Sequence, residues 1–274
     1  MEVTKFSVIN PIFRQHHNLF PRNLRVLIVG KSNSGKSTLL YNLLLKPWID
    51  YENLIVFGKS LHQNEYQIIK TGFEYGLSKE QISNVFKNQE SLSSIGVNAF
   101  QAIQQYTGPK EEGITARFYT DCELIPDPSE LDPEIKNLLV LDDCFLGKQN
   151  KAEAYYTRGR HNNCDTIFLS QNYFRLPRQT IRENCNFIML FQQDAKNINH
   201  IHADHCADIP LEEFRDFCKQ VWKNKFAFVT IDLTSSIDNG KYRKNLHTFY
   251  IPNILLSTVE EETYSEKMHF CFNI

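Results

Sequence analysis

The sequence has no apolar run approaching the ~18 residues that span a bilayer, and its opening MEVTKFSVINP lacks the apolar core of a secretory signal. These two absences predict a soluble, internally retained protein with no membrane partner. Charge of one sign is lacking too: 30 Lys and Arg stand against 32 Asp and Glu, a formal net charge of −2. The whole molecule is therefore no magnet for nucleic acid, and any such affinity must come from local patches. Cysteine is sparse and never spaced C-x-x-C; the seven, at 122, 144, 164, 185, 206, 218 and 271, make an odd count in a chain too long to need staples. They read as reduced thiols in a cytosolic-type compartment. What is present, 274 residues of which 42% are apolar, 12% aromatic and 23% charged, is ordinary globular composition. It excludes disorder as the dominant state and leaves length for one large core or two modest ones.

Short continuous apolar runs dominate the pattern. LRVLIVG (24–30), NLIVFGK (53–59), NLLVLDD (137–143), TIFLSQ (166–171) and NFIMLF (186–191) each read as a strand buried on both faces of a parallel sheet. After the first, STLLYNLLLK (37–46) places Leu39, Leu40, Leu43 and Leu44 at helical spacing and stops before Pro47. Strand, loop and helix thus follow in order, and the five strands with their crossovers predict an α/β fold. Residues 60–119 show no repeat and suit several short amphipathic helices. Residues 120–136, with three prolines, read as an exposed connection. LEEFRDFCKQVWKN (211–224) carries an apolar helical face, and FAFVTIDL (226–233) with NLHTFYI (245–251), flanking Asp238-Asn239-Gly240, predicts a β-hairpin with a longer loop. The chain divides into a lead (1–23), a main domain (24–256) and a loosely attached tail (257–274).

The chemistry concentrates at strand ends. Gly30-Lys31-Ser32-Asn33-Ser34-Gly35-Lys36-Ser37 fits G-x-x-x-x-G-K-[ST], the Walker A pattern, and Thr38 follows it. Glycines let such a loop turn its N–H groups inward at phosphate, and the helix that follows adds the positive end of its dipole. Lys36 suits the β- and γ-phosphates of a nucleotide and Ser37 suits Mg²⁺. Asp142 and Asp143 end the third strand, where such sheets place ligands. Asp142 suits the shell of Mg²⁺ and Asp143 an attacking water. Gln171, closing the next strand, suits a sensor of the γ-phosphate. Arg158, Arg160, Arg175, Arg178 and Arg182 surround that strand with no Lys among them, a bias that fits phosphate gripped by a planar fork. Arg160, then Arg158, suit an arginine finger given in trans. HIHADHC (200–206) lacks the separated second ligand pair of a structural metal site and reads as a polar loop. KQVWKNK (219–225) and KYRK (241–244) are local basic patches that could track a DNA backbone.

GKSNSGKST, LLVLDD, TRGRH and TIFLSQ followed by NYFRLPRQTIREN, in that order over roughly residues 24–195, resemble the viral genome-packaging ATPases of the FtsK/HerA superfamily, in the poxvirus-type branch shared by large DNA viruses, virophages and Polinton-like viruses. The resemblance implies an ASCE-type P-loop core, a three-layer sandwich around a mainly parallel sheet. It also implies a homo-oligomeric ring, ATP with Mg²⁺, double-stranded DNA, and a capsid or portal-vertex partner at an intracellular assembly site in the host, with virion association as a further expectation. Carried over by position, Gly30 to Thr38 are the nucleotide loop, Asp142 and Asp143 the metal and water site, and Gln171 the sensor. Asp143 departs from the Glu found in many such ATPases. A P-loop kinase acting on a small acceptor and a nucleotide-binding assembly subunit are the rival readings. A switch GTPase is excluded because Asn224-Lys225 continues as Phe226-Ala227 rather than N-K-x-D.

Overall fold

Strands apolar at every position form only where both faces of a sheet are covered, because alternate side chains leave opposite sides of the pleat. In the structure, a computed structural model that describes residues 16–88, 92, 94, 97–106, 108, 113–142 and 150–253, all five apolar runs are strands. They are β1 (Arg25–Val29), β2 (Asn53–Gly58), β4 (Asn137–Asp142), β5 (Cys164–Ser170) and β6 (Phe187–Leu190). Leu27, Val29, Ile55, Phe57, Leu139 and Leu141 enter one core, while Val26, Ile28, Leu54, Val56, Leu138 and Val140 enter the other.

Helices cover each face. α1 (Lys36–Leu45), α2 (Asn64–Glu74), α3 (Lys79–Lys87) and α4 (Ala99–Gln104) bury Leu40, Leu43, Tyr66, Ile69, Ile82 and Ile103 on the second core. Capping boxes at Ser78–Gln81 and Asn98–Gln101 start the two shortest of these. α5 (Asn150–Arg158), α6 (Ala195–His205) and α7 (Leu211–Val221) put Tyr155, Tyr156, Ile201, Phe214 and Phe217 on the first core. The sheet between them runs β3-β2-β4-β5-β1-β6-β7-β8-β9, with β3 at Thr115–Tyr119, β7 at Val229–Asp232, β8 at Tyr242–Lys244 and β9 at Thr248–Phe249. The first six strands are parallel and the last three antiparallel. This is the expected three-layer α/β sandwich. Parallel register sets Val29 beside Ser170 and Asp142 beside Leu169, so the carboxyl ends of β1, β5 and β4 share one edge.

Four expectations change. β3 arises inside the indistinct stretch, unmarked because an edge strand with only partial burial needs no continuous apolar run. HIHADHC is the end of helix α6, not a polar loop. The hairpin's second strand is Tyr242–Lys244, earlier than 245–251; Asn245, at φ 52°, turns the chain there and a short third strand follows. KYRK is thereby withdrawn as a surface patch: Arg243 is buried against Asp232, and Lys241 reaches Asp208 at 2.7 Å. The described part of the lead packs on the sheet, with Phe20 against Phe187 and His16 bonded to Asp165 at 2.7 Å. Residues 254–274 lie outside the described residues. Among the described residues no helix is long and apolar enough to cross a membrane.

Candidate functional site

β1 hands directly into the glycine-bearing loop, and the loop's path is dictated by its neighbours. Gly30 N donates to Ser170 O at 3.0 Å, which ties the loop's first residue to β5. A Cβ at Gly30 would lie 2.4 Å from Ser34 Oγ and 2.8 Å from Phe191 Cβ, so only glycine fits between β1 and the segment leaving β6. Asn33 at φ 61° and Gly35 at φ 102° curl the chain, and Leu39 N bonded to Gly35 O at 2.9 Å opens α1. No acidic residue occupies the first turn of α1, so its positive dipole end is uncancelled. Lys31, Ser32, Asn33 and Thr38 are exposed and Ser37 is half-buried. Lys36 Nζ folds across the loop, donating to Gly30 O at 2.7 Å and Lys31 O at 2.9 Å. Ser34 Oγ is buried without a hydrogen-bond partner.

The strand order brings the other two strand ends to this loop. Ser32 Oγ donates to Gln171 Oε1 at 3.4 Å, joining the loop to the end of β5. One strand further, Asp142 closes β4 and accepts a bond from Tyr66 Oη at 2.6 Å. Tyr66 comes from α2 and is wholly buried. Tyr41 of α1 stands edge-on to it at 5.4 Å; burial first, then the charges of Glu65 and Asp142, push the Tyr41 phenol well above its usual value. Tyr66 escaped sequence reading because it sits in the stretch with no distinct pattern. Asp143 lies outside the described residues.

The arginines divide by location. α5 runs back across the sheet, so Arg158 and Arg160 stand at the amino edge, just before β5 begins. Arg160 is exposed there, and after burial its charge is the largest influence lowering the pKa of Arg25 at the start of β1. Arg158 reaches Asp127 at 3.3 Å in an exposed pair. Neither comes near the loop of its own chain. Arg182 is buried and bonded to Asp204 at 2.8 Å, a structural role, while Arg178 makes an exposed pair with Glu183 at 3.2 Å. Arg175 is exposed on the turn after Gln171.

The histidines of α6 also have local work. His200 stacks on Phe174 at 4.5 Å, His202 meets Ile209 O at 2.7 Å, and His205 Nε2 meets Tyr173 Oη at 2.8 Å. Among the described residues no group of three His, Cys, Asp or Glu could hold a metal ion. The described cysteines are all free thiols, and burial raises the pKa of Cys164, Cys185 and Cys218.

No protein-family model matches the chain, and no curated protein matches it. Among solved structures it is similar to the genome packaging NTPase B204 of Sulfolobus turreted icosahedral virus 2, solved in complex with ATP-gammaS. Identity is 13%, coverage 83% of this chain and 98% of that one, and TM-score 0.47. VirB4 of Thermoanaerobacter pseudethanolicus is 11% identical over 84% of this chain and 96% of its own, at TM-score 0.44. The pCW3 conjugation coupling protein TcpA is 12% identical over 86% and 65%, at TM-score 0.38.

Proposed function

We propose that the chain is an ATP-hydrolysing motor that moves double-stranded DNA into a preformed viral capsid as a homo-oligomeric ring. The observation that carries the ATPase part is the meeting of loop, Gln171 and Asp142 at one sheet edge, with Ser32 bonded to Gln171. The residues fit a nucleotide triphosphate: a cradle only glycine permits at Gly30, an orphaned hydroxyl at Ser34, and an ammonium at Lys36 already folded over the loop. On binding, Lys36 exchanges carbonyl partners for the β- and γ-phosphates, and the backbone N–H groups of Ser32 to Thr38 donate to the remaining oxygens. Ser37 and Asp142 would hold Mg²⁺, which neutralises phosphate charge when bound. Asp143 is the candidate to orient and deprotonate water, and Gln171, through its bond to Ser32, registers whether the γ-phosphate is present. Arg160 acts on a neighbour's nucleotide, with Arg158 as the second choice.

The DNA cargo, the capsid or portal-vertex partner and a viral assembly site in the host cell rest on the ordered motif resemblance. Exposed Lys223 and Lys225 remain as basic contacts for DNA, while KYRK does not. A kinase acting on a small acceptor gives no reason for Gln171 to touch the loop.

Phosphate release from ATP, measured with and without long duplex DNA, tests the reading. Hydrolysis that rises with DNA and disappears in Lys36→Ala supports it. Transfer to a small acceptor with no response to DNA overturns the motor, and retention of ATP without any turnover overturns the enzyme.

A further inference from the structure

Beside the loop, along one flank of α1, lies a groove of about 460 Å³ whose lining includes Leu39, Asn42, Asn224, Phe226, Phe228 and Asn245. Phe226 is the unusual member. It is 56% exposed, and its φ is 66°, a left-handed backbone that bulky side chains seldom adopt. Neither the core nor the local chain accounts for a large ring here, since glycine would suit the backbone better and more than half of the residue stands in solvent. The ring does have a neighbour with meaning: a Cβ added at Gly35 would lie 3.4 Å from Phe226 Cδ1. The aromatic face therefore stands next to the residue where the loop becomes α1. Lys225 Nζ, 4.8 Å from the ring centroid, brings positive charge to the same place.

The amides around the groove are half-committed. Asn42 Nδ2 donates to Thr38 O at 2.8 Å, which leaves its Oδ1 as an acceptor. Asn245 Oδ1 accepts from Phe228 N at 3.1 Å, which leaves its Nδ2 as a donor. An aromatic platform with one acceptor and one donor is what a heterocyclic base needs: a face to stack on and partners for its polar edge.

We propose that this groove receives the purine base of the nucleotide, stacked on Phe226, with Asn42 and Asn245 reading its edge. The inference rests on the phosphate reading of the adjoining loop and adds the base subsite to it.

Binding of ATP and of inorganic tripolyphosphate, each with Mg²⁺, to the full chain separates the two. The wild-type protein should hold ATP more tightly than tripolyphosphate. Phe226→Gly removes the ring while favouring the native φ, so the fold should survive. Its ATP affinity should fall roughly ten-fold while tripolyphosphate binds as to wild type. In Phe226→Trp, ATP should quench the added fluorescence and tripolyphosphate should not. Equal ATP affinity in wild type and Phe226→Gly overturns the base subsite, as does a parallel loss of tripolyphosphate, which would make the ring a prop for the loop. Failure of the wild type to bind tripolyphosphate at all brings down the phosphate reading, and the base subsite with it.

Discussion

A carboxylate at a strand end serves a metal only if it is held still, and the hydroxyl of Tyr66 holds Asp142 at 2.6 Å. The donor is wholly buried, so no water can replace it cheaply, and a hydrogen bond to a charged acceptor is worth about 1.5–3 kcal/mol. Tyr66→Phe keeps the ring, the contact with Tyr41 and the packing, and removes this restraint. In steady-state phosphate release, kcat should fall by roughly ten-fold with little change in KM, and the Mg²⁺ concentration for half-maximal rate should rise. Tyr41→Phe is the matched control: its buried hydroxyl has no hydrogen-bond partner, so losing it should be neutral or slightly stabilising. An unchanged kcat and Mg²⁺ dependence in Tyr66→Phe would reduce Tyr66 to a packing residue.

Among the elements, α6 shows how a polar segment earns a place in a core. Its His205 meets Tyr173 Oη at 2.8 Å, and burial first, with the charges of Arg182 and Lys241, pushes its pKa down to about 4 despite the opposing charge of Asp204. That lies below the ordinary histidine value, so between the two the unfolded chain binds more protons than the folded one. Stability is then complete above about 6.5 and drains away as pH falls toward 4. By pH 5 the loss from this group should be about 1–2 kcal/mol, and the melting temperature should drop less between pH 7 and 5 in His205→Gln than in wild type. Equal drops would show that His205 does not titrate in this window. The same helix marks the limit of periodicity as a guide. The five central strands were legible because apolar side chains on both faces leave a continuous run, and the positions of the loop, Asp142 and Gln171 at strand ends were legible because each directly follows or closes such a run. β3 and β8 were not, since an edge strand tolerates Thr115 and Arg117, and β8 hides its arginine against Asp232. Tyr66 was invisible for a different reason. Its partner is 76 residues away in sequence, and nothing local distinguishes it from a core tyrosine.

At the scale of the whole molecule the sheet separates two chemistries. The glycine-bearing loop leaves the carboxyl end of β1, whereas Arg160 stands beside Arg25 at the amino end, five residues or roughly 15 Å of strand away. An arginine so placed cannot reach the proposed γ-phosphate position of its own chain, but copies arranged in a ring could bring the amino edge of one against the carboxyl edge of the next. Arg158 is the weaker candidate because Asp127 already engages it. A finger in trans is worth ~10³ or more in rate, so Arg160→Ala should bind ATP as wild type does yet hydrolyse it hardly at all. Lys36→Ala should fail for the opposite reason, through loss of the nucleotide itself. Mixing the two inactive proteins discriminates the geometry. Wherever the intact loop of an Arg160→Ala subunit meets the intact arginine of a Lys36→Ala subunit, a complete site forms, and phosphate release should return in proportion to those junctions. Arg158→Ala mixed with Lys36→Ala should behave as a simple dilution of active subunits. If the Arg160→Ala mixture stays silent while each protein still assembles with wild type, Arg160 serves the fold of its own chain and the catalytic arginine lies elsewhere.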